Sequence, residues 1–351
     1  MATAHYSPAG AGVQGILASV RLPVMNEREL LRRLAAGPVS GAALAREAGL
    51  SRAAVWKRIQ GLRAAQIGVV AAPGLGYALE RPLDLLDAGA IVAALPGAAR
   101  DELAALEVAW TLDSTNSELL RRPSPARGCS VLLAERQAGG RGRRGRGWAS
   151  PLAANLYLSL DRRFGGGLAR LPGLSLVAGV AAAEALHALG FSGVRLKWPN
   201  DLVVGEGGVL RKLGGLLVEG GGEVAGPARA VVGLGLNVAM PAAAGAGIDQ
   251  PWTDLAGLSD GAPPARNAVA AALLGRLLPA LAEFDACGLA PFLPRHAALD
   301  ALAGREVLVH GEHGSTAAVA LGLAADGALR VRVGQREQLV HAGEVSLRVA
   351  A

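Results

Sequence analysis

The sequence predicts an α+β protein with three consecutive parts: a small helical part, a central part with a mixed sheet, and a final part made of short strands. Helical spacing of apolar residues up to Leu62 indicates the first part. Strand patterns interspersed with two apolar helices between Leu106 and Leu299 indicate the second. The third follows from the turn signals that separate short strands after Arg305, which favour a small barrel.

A chain of 351 residues is long enough for two or three domains. The expected parts are a disordered leader (1–21), a DNA-binding domain (22–82), a linker (83–104), a central domain (105–300) and a C-terminal domain (301–351). Leu171 to Gly190 is apolar enough to imitate a membrane span, but its proline, glutamate and histidine favour a core helix and therefore a soluble protein. Two distant cysteines without a CxxC motif fit a reducing cytoplasm and indicate neither a disulfide framework nor a zinc site.

The helical part has the order of a helix-turn-helix followed by a hairpin. Ser40 and Ser51 are predicted N-caps of the second and third helices, and Gly49 ends the second. The hairpin from Val69 to Leu79 would form a wing. The apolar faces should be buried, namely Leu30, Leu31 and Leu34 in the first helix and Val55, Ile59 and Leu62 in the third.

The third helix is the candidate reader of a DNA major groove. Its outward residues predicted to contact DNA are Arg52, Lys57, Gln60 and Arg63. The alternative is a helical bundle whose basic residues only face solvent, but the succession of two capped helices and a glycine-rich hairpin favours DNA binding. The net charge of +6 and the pI near 10.0 add little, because the basic residues are 32 arginines and only three lysines, so that the pI largely reflects the very high pKa of arginine.

The strands predicted in the central part lie at Leu106–Leu112, Val131–Leu133, Asn155–Leu160, Val194–Leu196, Gly215–Glu219 and Ala230–Leu236, and the helices at Leu174–Leu189 and Asn267–Phe284. The strongest chemical signal follows the second of these strands, where arginines alternate with glycines from Gln137 to Trp148. Glycines let backbone N–H groups approach an anion, and arginines supply permanent charge with forked donors. The segment therefore predicts a phosphate clamp.

Two other interpretations of this Arg/Gly loop fit the sequence less well. Gly140, Gly142 and Gly145 satisfy a GxGxxG pattern, but a dinucleotide site requires a helix next, and another strand follows instead. A disordered Arg/Gly run that binds nucleic acid is less consistent with the flanking strands. The sequence contains no GxxxxGK[ST] motif, and no histidine lies in a motif of the central part, so neither a P-loop nor a Ser/His/Asp arrangement is indicated.

The loop from Gln137 to Trp148 resembles the biotinyl-adenylate loop of the bifunctional biotin protein ligase and biotin operon repressor family. The family's other motifs follow the same order along most of the chain. They are Asp113-Ser114-Thr115-Asn116, the segment Lys197-Trp198-Pro199-Asn200-Asp201, the run Arg211 to Glu219, and Gly233-Leu234-Gly235-Leu236-Asn237-Val238; residues 343–348 resemble the end of its SH3-like domain.

This resemblance implies a winged helix, a class II synthetase-like catalytic domain and a C-terminal SH3-like barrel. It implies an ATP- and Mg²⁺-dependent ligase that makes biotinyl-5'-AMP and transfers biotin to a lysine of the biotin carboxyl carrier protein of acetyl-CoA carboxylase. It also implies repression of biotin-synthesis genes by operator binding, and a homodimer when the adenylate is bound. No membrane partner is expected.

The resemblance also assigns residues. The catalytic residues would be Lys197, Arg141 and Arg143. The biotin site would contain Ser114, Thr115, Gln137, Gly140, Arg141, Arg143, Lys197 and Gly215. The ATP site would contain Arg141, Arg143, Arg144, Trp148, Asn200, Lys212 and Asn237. Asp201 would either deprotonate the carrier lysine or act structurally, and the metal ligands stay open.

Two lysines stand out because arginine has replaced lysine almost everywhere. Of only three lysines, Lys197 and Lys212 lie in family motifs, which predicts a compact charge where a guanidinium does not fit. The turn at 205–210 is longer and richer in glycine than the family pattern, so the role of Lys212 stays open. The competing functions are a lipoate-type ligase, a biotin-sensing repressor without ligase activity, and a winged helix that docks on its own catalytic domain instead of DNA.

Overall fold

The computed structural model describes residues 25–65, 67–165, 167–222, 227–311, 314–342 and 346–349. The predicted leader (1–21) lies outside these residues. The chain folds into two compact units. The first consists of the N-terminal part up to Leu62 together with Val69–Glu80, and the second consists of Arg63–Gly68 together with the chain from Arg81 onward. The boundaries proposed between the central and C-terminal domains stay predictions.

The first unit is a three-helix bundle with a two-stranded hairpin. Its elements are α1 (Glu27–Ala35), α2 (Gly41–Ala48), α3 (Arg52–Ala64), β1 (Val69–Ala72) and β2 (Gly76–Leu79). The predicted caps are confirmed: Ser40 Oγ accepts from Ala43 N, Ser51 Oγ accepts from Ala54 N, and Gly49 ends α2 in the left-handed conformation. All six predicted apolar residues are buried, so the pattern that predicted the helices also provides their core.

The second unit contains a seven-stranded mixed sheet in the order β3-β4-β5-β9-β8-β7-β6. Its strands are β3 (Leu103–Leu112), β4 (Cys129–Gln137), β5 (Leu156–Phe164), β6 (Val194–Lys197), β7 (Asp201–Glu206), β8 (Val209–Gly222) and β9 (Ala228–Leu236). Only β3 and β4 run parallel; the other neighbours are antiparallel. The predicted strands are therefore confirmed, most of them longer than the sequence pattern suggested.

Two long apolar helices, α7 (Leu174–Ala188) and α9 (Arg266–Cys287), pack against this sheet. By length and composition, α9 and the segment Arg170–Ala188, which is α7 with the helical turn before it, could cross a membrane, but more than half of each apolar window is buried inside the protein. Their composition is explained by burial in a core, as predicted for α7. The remaining helices of this unit are α4 (Ala88–Ala93), α5 (Gly97–Asp101), α6 (Thr115–Arg121), α8 (Ala242–Gly245) and α10 (Leu293–Leu299).

The segment expected as a linker (83–104) contains α4 and α5, and Ile91, Leu95 and Ala99 are buried in the core of the central sheet. Its start is held by polar contacts. Arg266, which is 3% exposed, pairs with Glu135 at 2.8 Å and also bonds Asp84. The segment is therefore part of the folded second unit.

The C-terminal part is a five-stranded antiparallel sheet in the order β13-β12-β11-β10-β14. Its strands are β10 (Glu306–Gly311), β11 (Gly314–Leu323), β12 (Leu329–Val333), β13 (Arg336–Val340) and β14 (Ser346–Val349). Trp198 from the central part is buried among its apolar residues and donates from Nε1 to Gly327 O at 3.0 Å. The C-terminal sheet thus supports a loop that carries predicted site residues.

Candidate active site

One row of residues crosses four strands at the same end of the central sheet. Antiparallel pairing places Lys197 opposite Asp201, Asp201 opposite Gly215, and Gly215 opposite Gly235. Directly opposed residues in antiparallel strands share a face of the sheet. A lysine, a carboxylate and two glycines from four strands therefore line one surface.

Lys212 joins this surface because of a β-bulge. The register of β7 and β8 shifts between Leu202 and Val203, which leaves Leu213 as an extra residue on β8. Since side chains alternate along a strand, one extra residue brings Lys212 to the side of Gly215. Its Nζ lies 2.8 Å from Asp201 Oδ1 and 5.4 Å from the centre of the Trp148 ring. Lys212 therefore lies next to the other predicted site residues, even though the turn at 205–210 is long.

Trp148 covers the two glycines of this surface. A Cβ added to Gly235 would lie 2.4 Å from the indole Cε2, and one added to Gly215 would lie 3.3 Å from Cζ3. Glycine is therefore needed at Gly235 to admit the ring. The indole Nε1 is buried and has no hydrogen-bond partner among the described residues, so a donor is available at this point.

The Arg/Gly loop is an ordered hairpin-like turn. Arg141 and Gly147 form a β-bridge, Gly142 N donates to Arg146 O at 2.7 Å, and Trp148 N donates to Gly140 O at 2.9 Å. Arg144 at its tip has φ of 57°, a left-handed conformation uncommon for a residue with a side chain. The loop leads into β5 instead of a helix, which agrees with the argument against a dinucleotide site.

Side-chain contacts hold two arginines of this loop. Arg141 pairs with Glu219 at 3.2 Å, while Arg143 donates to Asn200 Oδ1 at 3.2 Å and to the carbonyl of Ala342. Burial lowers the pKa of the Arg143 guanidinium, and the nearby Asp201 carboxylate opposes that shift. Arg144 lies at the tip of the loop with its side chain exposed, next to Arg143, whose pKa its charge also lowers.

A buried polar network begins at the predicted biotin residues. Thr115 donates to Gln137 Oε1 from its backbone N at 2.8 Å and from its Oγ1 at 3.1 Å. Ser159 Oγ lies 2.7 Å from Thr115 Oγ1 and 2.6 Å from Asn116 Oδ1. Ser114 is the N-cap of α6, with its Oγ accepting from Ser117 N. The motif that begins at Ser114 can therefore provide both a helix cap and residues of a binding site.

Sequence reasoning missed several members of this network. Asn116 Nδ2 donates to Glu219 Oε2 at 2.8 Å, so one carboxylate joins the α6 motif to Arg141. Ser150 Oγ lies 3.3 Å from Gln137 Nε2 and donates to Trp148 O at 3.0 Å. A polar Ser159 inside the apolar run of β5 was the one local signal for this network.

Asn200 and Asn237 lie beside strands of the same surface. Asn200 Nδ2 donates to Leu216 O at 2.9 Å. Asn237 is 3% exposed, and its Nδ2 donates to Thr253 O at 3.0 Å, whereas its Oδ1 is buried with no partner in the described part of the chain. An amide oxygen in that position can accept from a ligand or bind a hard cation.

The structure therefore brings most predicted residues of the second unit around one surface. These are Ser114, Thr115, Gln137, Gly140, Arg141, Arg143, Trp148, Lys197, Asn200, Lys212 and Gly215. The predicted DNA residues lie on α3, where Arg52, Lys57 and Arg63 are exposed and Gln60 is half-buried; all of them except Arg63 belong to the first unit. Among the described residues no three His, Cys, Asp or Glu side chains form a metal cluster. The surface is suited to binding anions by fixed cations, and its described residues offer no paired nucleophile and base.

Comparisons with known proteins agree with this arrangement. Residues 108–237 match the biotin/lipoate A/B protein ligase family, residues 26–78 match an HTH domain, and residues 303–348 match the biotin protein ligase C terminal domain. The bifunctional ligase/repressor BirA of Escherichia coli (strain K12) is 41% identical over 314 residues, which cover 89% of this chain and 93% of that protein.

Two further relatives extend the comparison. The biotin--[acetyl-CoA-carboxylase] ligase of Paracoccus denitrificans is 32% identical over 242 residues, 66% of this chain and 96% of that protein. The structure of the biotin protein ligase from Aquifex aeolicus in complex with biotin and ATP superimposes with a TM-score of 0.58 at 27% identity, covering 70% of this chain and 100% of that chain. The chain therefore belongs to the bifunctional ligase/repressor branch of the biotin/lipoate A/B protein ligase family.

Proposed function

We propose that this protein is an ATP-dependent biotin protein ligase that makes biotinyl-5'-AMP and transfers biotin to a lysine of a biotin carboxyl carrier protein. The observation that carries the proposal is the ordered Arg/Gly loop, whose Trp148 covers the glycines that lie in one row with Lys197 and Asp201. Such a surface can hold an anionic ligand next to fixed cations.

The need for these cations follows from the first half-reaction. A biotin carboxylate and the α-phosphate of ATP repel each other by roughly 4 kcal/mol per pair of unit charges at about 4 Å and an effective dielectric of about 20. Arg141, Arg143 and Lys197 are proposed to cancel this repulsion. Because Arg141 and Arg143 are already held by Glu219, Asn200 and Ala342, they need little reorganisation when the charge develops.

In the first step a carboxylate oxygen of biotin attacks the α-phosphorus, and the bond to the bridging oxygen breaks to release pyrophosphate. The carboxylate is already ionised, so no general base is required. In the second step the neutral amine of the carrier lysine attacks the acyl carbon, the bond from that carbon to the AMP oxygen breaks so that AMP leaves, and the nitrogen gives its extra proton to water. Asp201 is 2.8 Å from Lys212 Nζ, which favours the structural role over that of proton acceptor.

The proposed biotin contacts are Ser114, Thr115, Gln137, Gly140 and Gly215, next to the catalytic Arg141, Arg143 and Lys197. The proposed nucleotide contacts are Arg144, Trp148, Asn200, Lys212 and Asn237, together with the two loop arginines. Mg²⁺ would neutralise phosphate charge when it enters with ATP, and the unpartnered Oδ1 of Asn237 is a suitable oxygen ligand for it. Arg144 would have to turn inward to reach the nucleotide, since its side chain is exposed.

Biotin is favoured over lipoate because the two curated relatives compared above are named biotin ligases or ligase/repressors. The assay combines the protein with ATP, magnesium, biotin and a carrier domain, and follows the carrier by mass spectrometry. We expect a mass increase of one biotinyl group, and an unmodified carrier would contradict the ligase proposal. A competition with equal biotin and lipoate tests the vitamin, and a lipoylated carrier would favour the alternative.

A second function is proposed for the first unit: repression of biotin-synthesis genes by operator binding, favoured by adenylate-linked dimerisation in the cytoplasm. It is supported by the match to an HTH domain and by the exposed cations of α3. A gel shift with the biotin-synthesis promoter, with and without biotin and ATP, tests it. Absence of any shift under both conditions would favour a protein-docking role for the winged helix.

A further inference from the structure

Trp56 is the exposed tryptophan of this protein. All five tryptophans lie in described parts of the chain; Trp56 is 56% exposed, Trp198 is buried, and the other three are half-buried. An indole carries a large apolar area, and tryptophan is enriched among the residues that dominate binding energy at interfaces. Its exposure therefore requires an explanation.

The fold of the first unit does not explain it. The core side of α3 is made by Val55, Ile59 and Leu62, each at most 2% exposed. Trp56 lies one residue after Val55 and is turned away from that side. Its side chain adds surface to the outer side of the helix instead of packing in the core.

The surroundings of Trp56 indicate the chemistry of its partner. Arg52 lies one turn before it and Gln60 one turn after it, while Lys57 follows it directly. The helix has four basic residues and no acidic residue between Arg52 and Ala64. A basic helix surface with one large apolar side chain complements a polyanion that also offers an apolar group. The DNA major groove provides both at a thymine, because the C5-methyl group lies in the groove between the charged phosphate backbones.

Small residues on the same outer side allow close approach. Ala53, Gly61 and Ala64 are exposed, and a Cβ added to Gly61 would meet nothing within 4 Å. Glycine weakens a helix, and packing within the protein does not require it at position 61. Ala53, three residues before Trp56, leaves a low surface beside the indole, which would let the helix backbone approach the floor of a groove.

We propose that Trp56 is a specificity-determining residue of the DNA-binding unit, and that its indole packs against the C5-methyl group of a thymine in the operator's major groove. Arg52 and Lys57 would contact phosphates and contribute affinity without sequence preference. This inference rests on the proposed repressor function and adds to it the residue that distinguishes one base from another.

The test starts from a pool of random duplexes, because the operator is not required in advance. The full-length protein with biotin and ATP selects duplexes from the pool, and the enriched duplex is then remade with deoxyuridine at each thymine in turn, which removes only the methyl group. For the wild-type protein we expect one such replacement per half-site to weaken binding about three- to tenfold.

Trp56→Ala should bind the enriched duplex at least about tenfold more weakly and should lose no further affinity at that deoxyuridine. Its biotin ligase activity and the salt dependence of its binding should match the wild type, because Trp56 is uncharged and belongs to the first unit. Lys57→Ala is the matched control: it should reduce the slope of log affinity against log salt by about 0.9 and keep the full response to deoxyuridine.

Each outcome is decisive. If the wild-type protein enriches no sequence, the repressor proposal fails and the inference fails with it. If enrichment occurs but Trp56→Ala binds as well as the wild type, or no deoxyuridine matters, the inference alone is wrong. If Trp56→Ala changes the sedimentation of the free protein and leaves DNA affinity unchanged, this side of α3 contacts protein instead of DNA.

Discussion

The protein carries two basic segments that are built in opposite ways. On α3 of the first unit, Arg52 and Lys57 project from a regular helix and are exposed. In the Arg/Gly loop of the second unit, Arg141 and Arg143 are fixed by Glu219, Asn200 and the carbonyl of Ala342. The first arrangement leaves the cations exposed to water, whereas the second holds them before a ligand arrives.

This difference determines what each segment can do with an anion. Exposed charges attract phosphates at long range, and salt screens that attraction within a Debye length of about 10 Å at 0.1 M. In the Arg/Gly loop Arg143 is half-buried and therefore screened less, and charges that are already held in place cost little reorganisation during a reaction. We therefore expect α3 to supply salt-dependent binding and the Arg/Gly loop to supply catalysis.

The largest expected effect distinguishes the role of Lys197 in the second unit from that of Lys57 on α3. Lys197→Ala should reduce adenylate formation by at least about 10²-fold, because it removes the positive group that is proposed to bridge the biotin carboxylate and the reacting phosphate. Lys57→Ala should leave adenylate formation unchanged and weaken duplex binding, as expected for a phosphate contact. Pyrophosphate release and fluorescence anisotropy of a labelled duplex measure the two activities. Equal ligase activity of Lys197→Ala and wild type would remove Lys197 from the mechanism.

A smaller effect tests how the loop is held. Gly235→Ala introduces a Cβ about where the indole of Trp148 lies, at 2.4 Å from its Cε2. Moving the ring should cost about 1–3 kcal/mol of stability and raise the KM for ATP by at least about tenfold. Gly221→Ala is the control, because a Cβ there meets nothing within 4 Å. Matching ATP kinetics in the two variants would show that Trp148 is not part of the nucleotide site.

The pH dependence of the protein's stability should come from neither basic segment, because arginine stays charged at ordinary pH. Burial lowers the pKa of His296 to about 4, from an ordinary value of 6.5. Between these values the unfolded chain binds a proton that the folded protein does not, so stability falls as the pH falls. From pH 6.5 to pH 5 the free energy of unfolding should drop by about 1.5 kcal/mol.

Urea unfolding at the two pH values measures this drop. His296→Leu should remove most of it, whereas the exposed His341 replaced by glutamine should not. An unchanged drop in His296→Leu would assign the pH dependence to other groups.

The smallest expected effect concerns the helix of the first unit. Gly61→Ala should stabilise that unit by about 0.5–1 kcal/mol, because alanine loses less backbone entropy in a helix and the added Cβ meets nothing within 4 Å. Thermal unfolding followed by circular dichroism measures the gain. A loss of stability would mean that the outer side of α3 is covered by other parts of the chain.

The sequence predicted those parts of the fold that depend on neighbours along the chain. Ser40 and Ser51 are caps because a hydroxyl satisfies the N–H groups of the next turn, and Gly49 ends a helix because it adopts a positive φ. The Arg/Gly loop was identified for a similar reason, since its composition alone indicates anion binding. Local chemistry of this kind is readable without a structure.

What could not be predicted depends on strand register and distant contacts. The bulge at Leu213 that turns Lys212 toward Asp201 follows from the pairing of β7 with β8. The contact of Arg143 with Ala342 joins residues 199 positions apart. Neither the bulge nor this contact can be recognised in the local sequence pattern, because tertiary packing determines which distant strands meet.

The central claim is that the loop from Gln137 to Trp148 and Lys197 together enclose biotinyl-5'-AMP. The most direct measurement is a crystal structure of the protein with biotin and ATP. We expect the adenylate phosphate to lie within hydrogen-bond distance of Lys197 and of at least one of Arg141 and Arg143, with the loop closed over it. An adenylate bound elsewhere, or a loop that stays away from it, would contradict the claim.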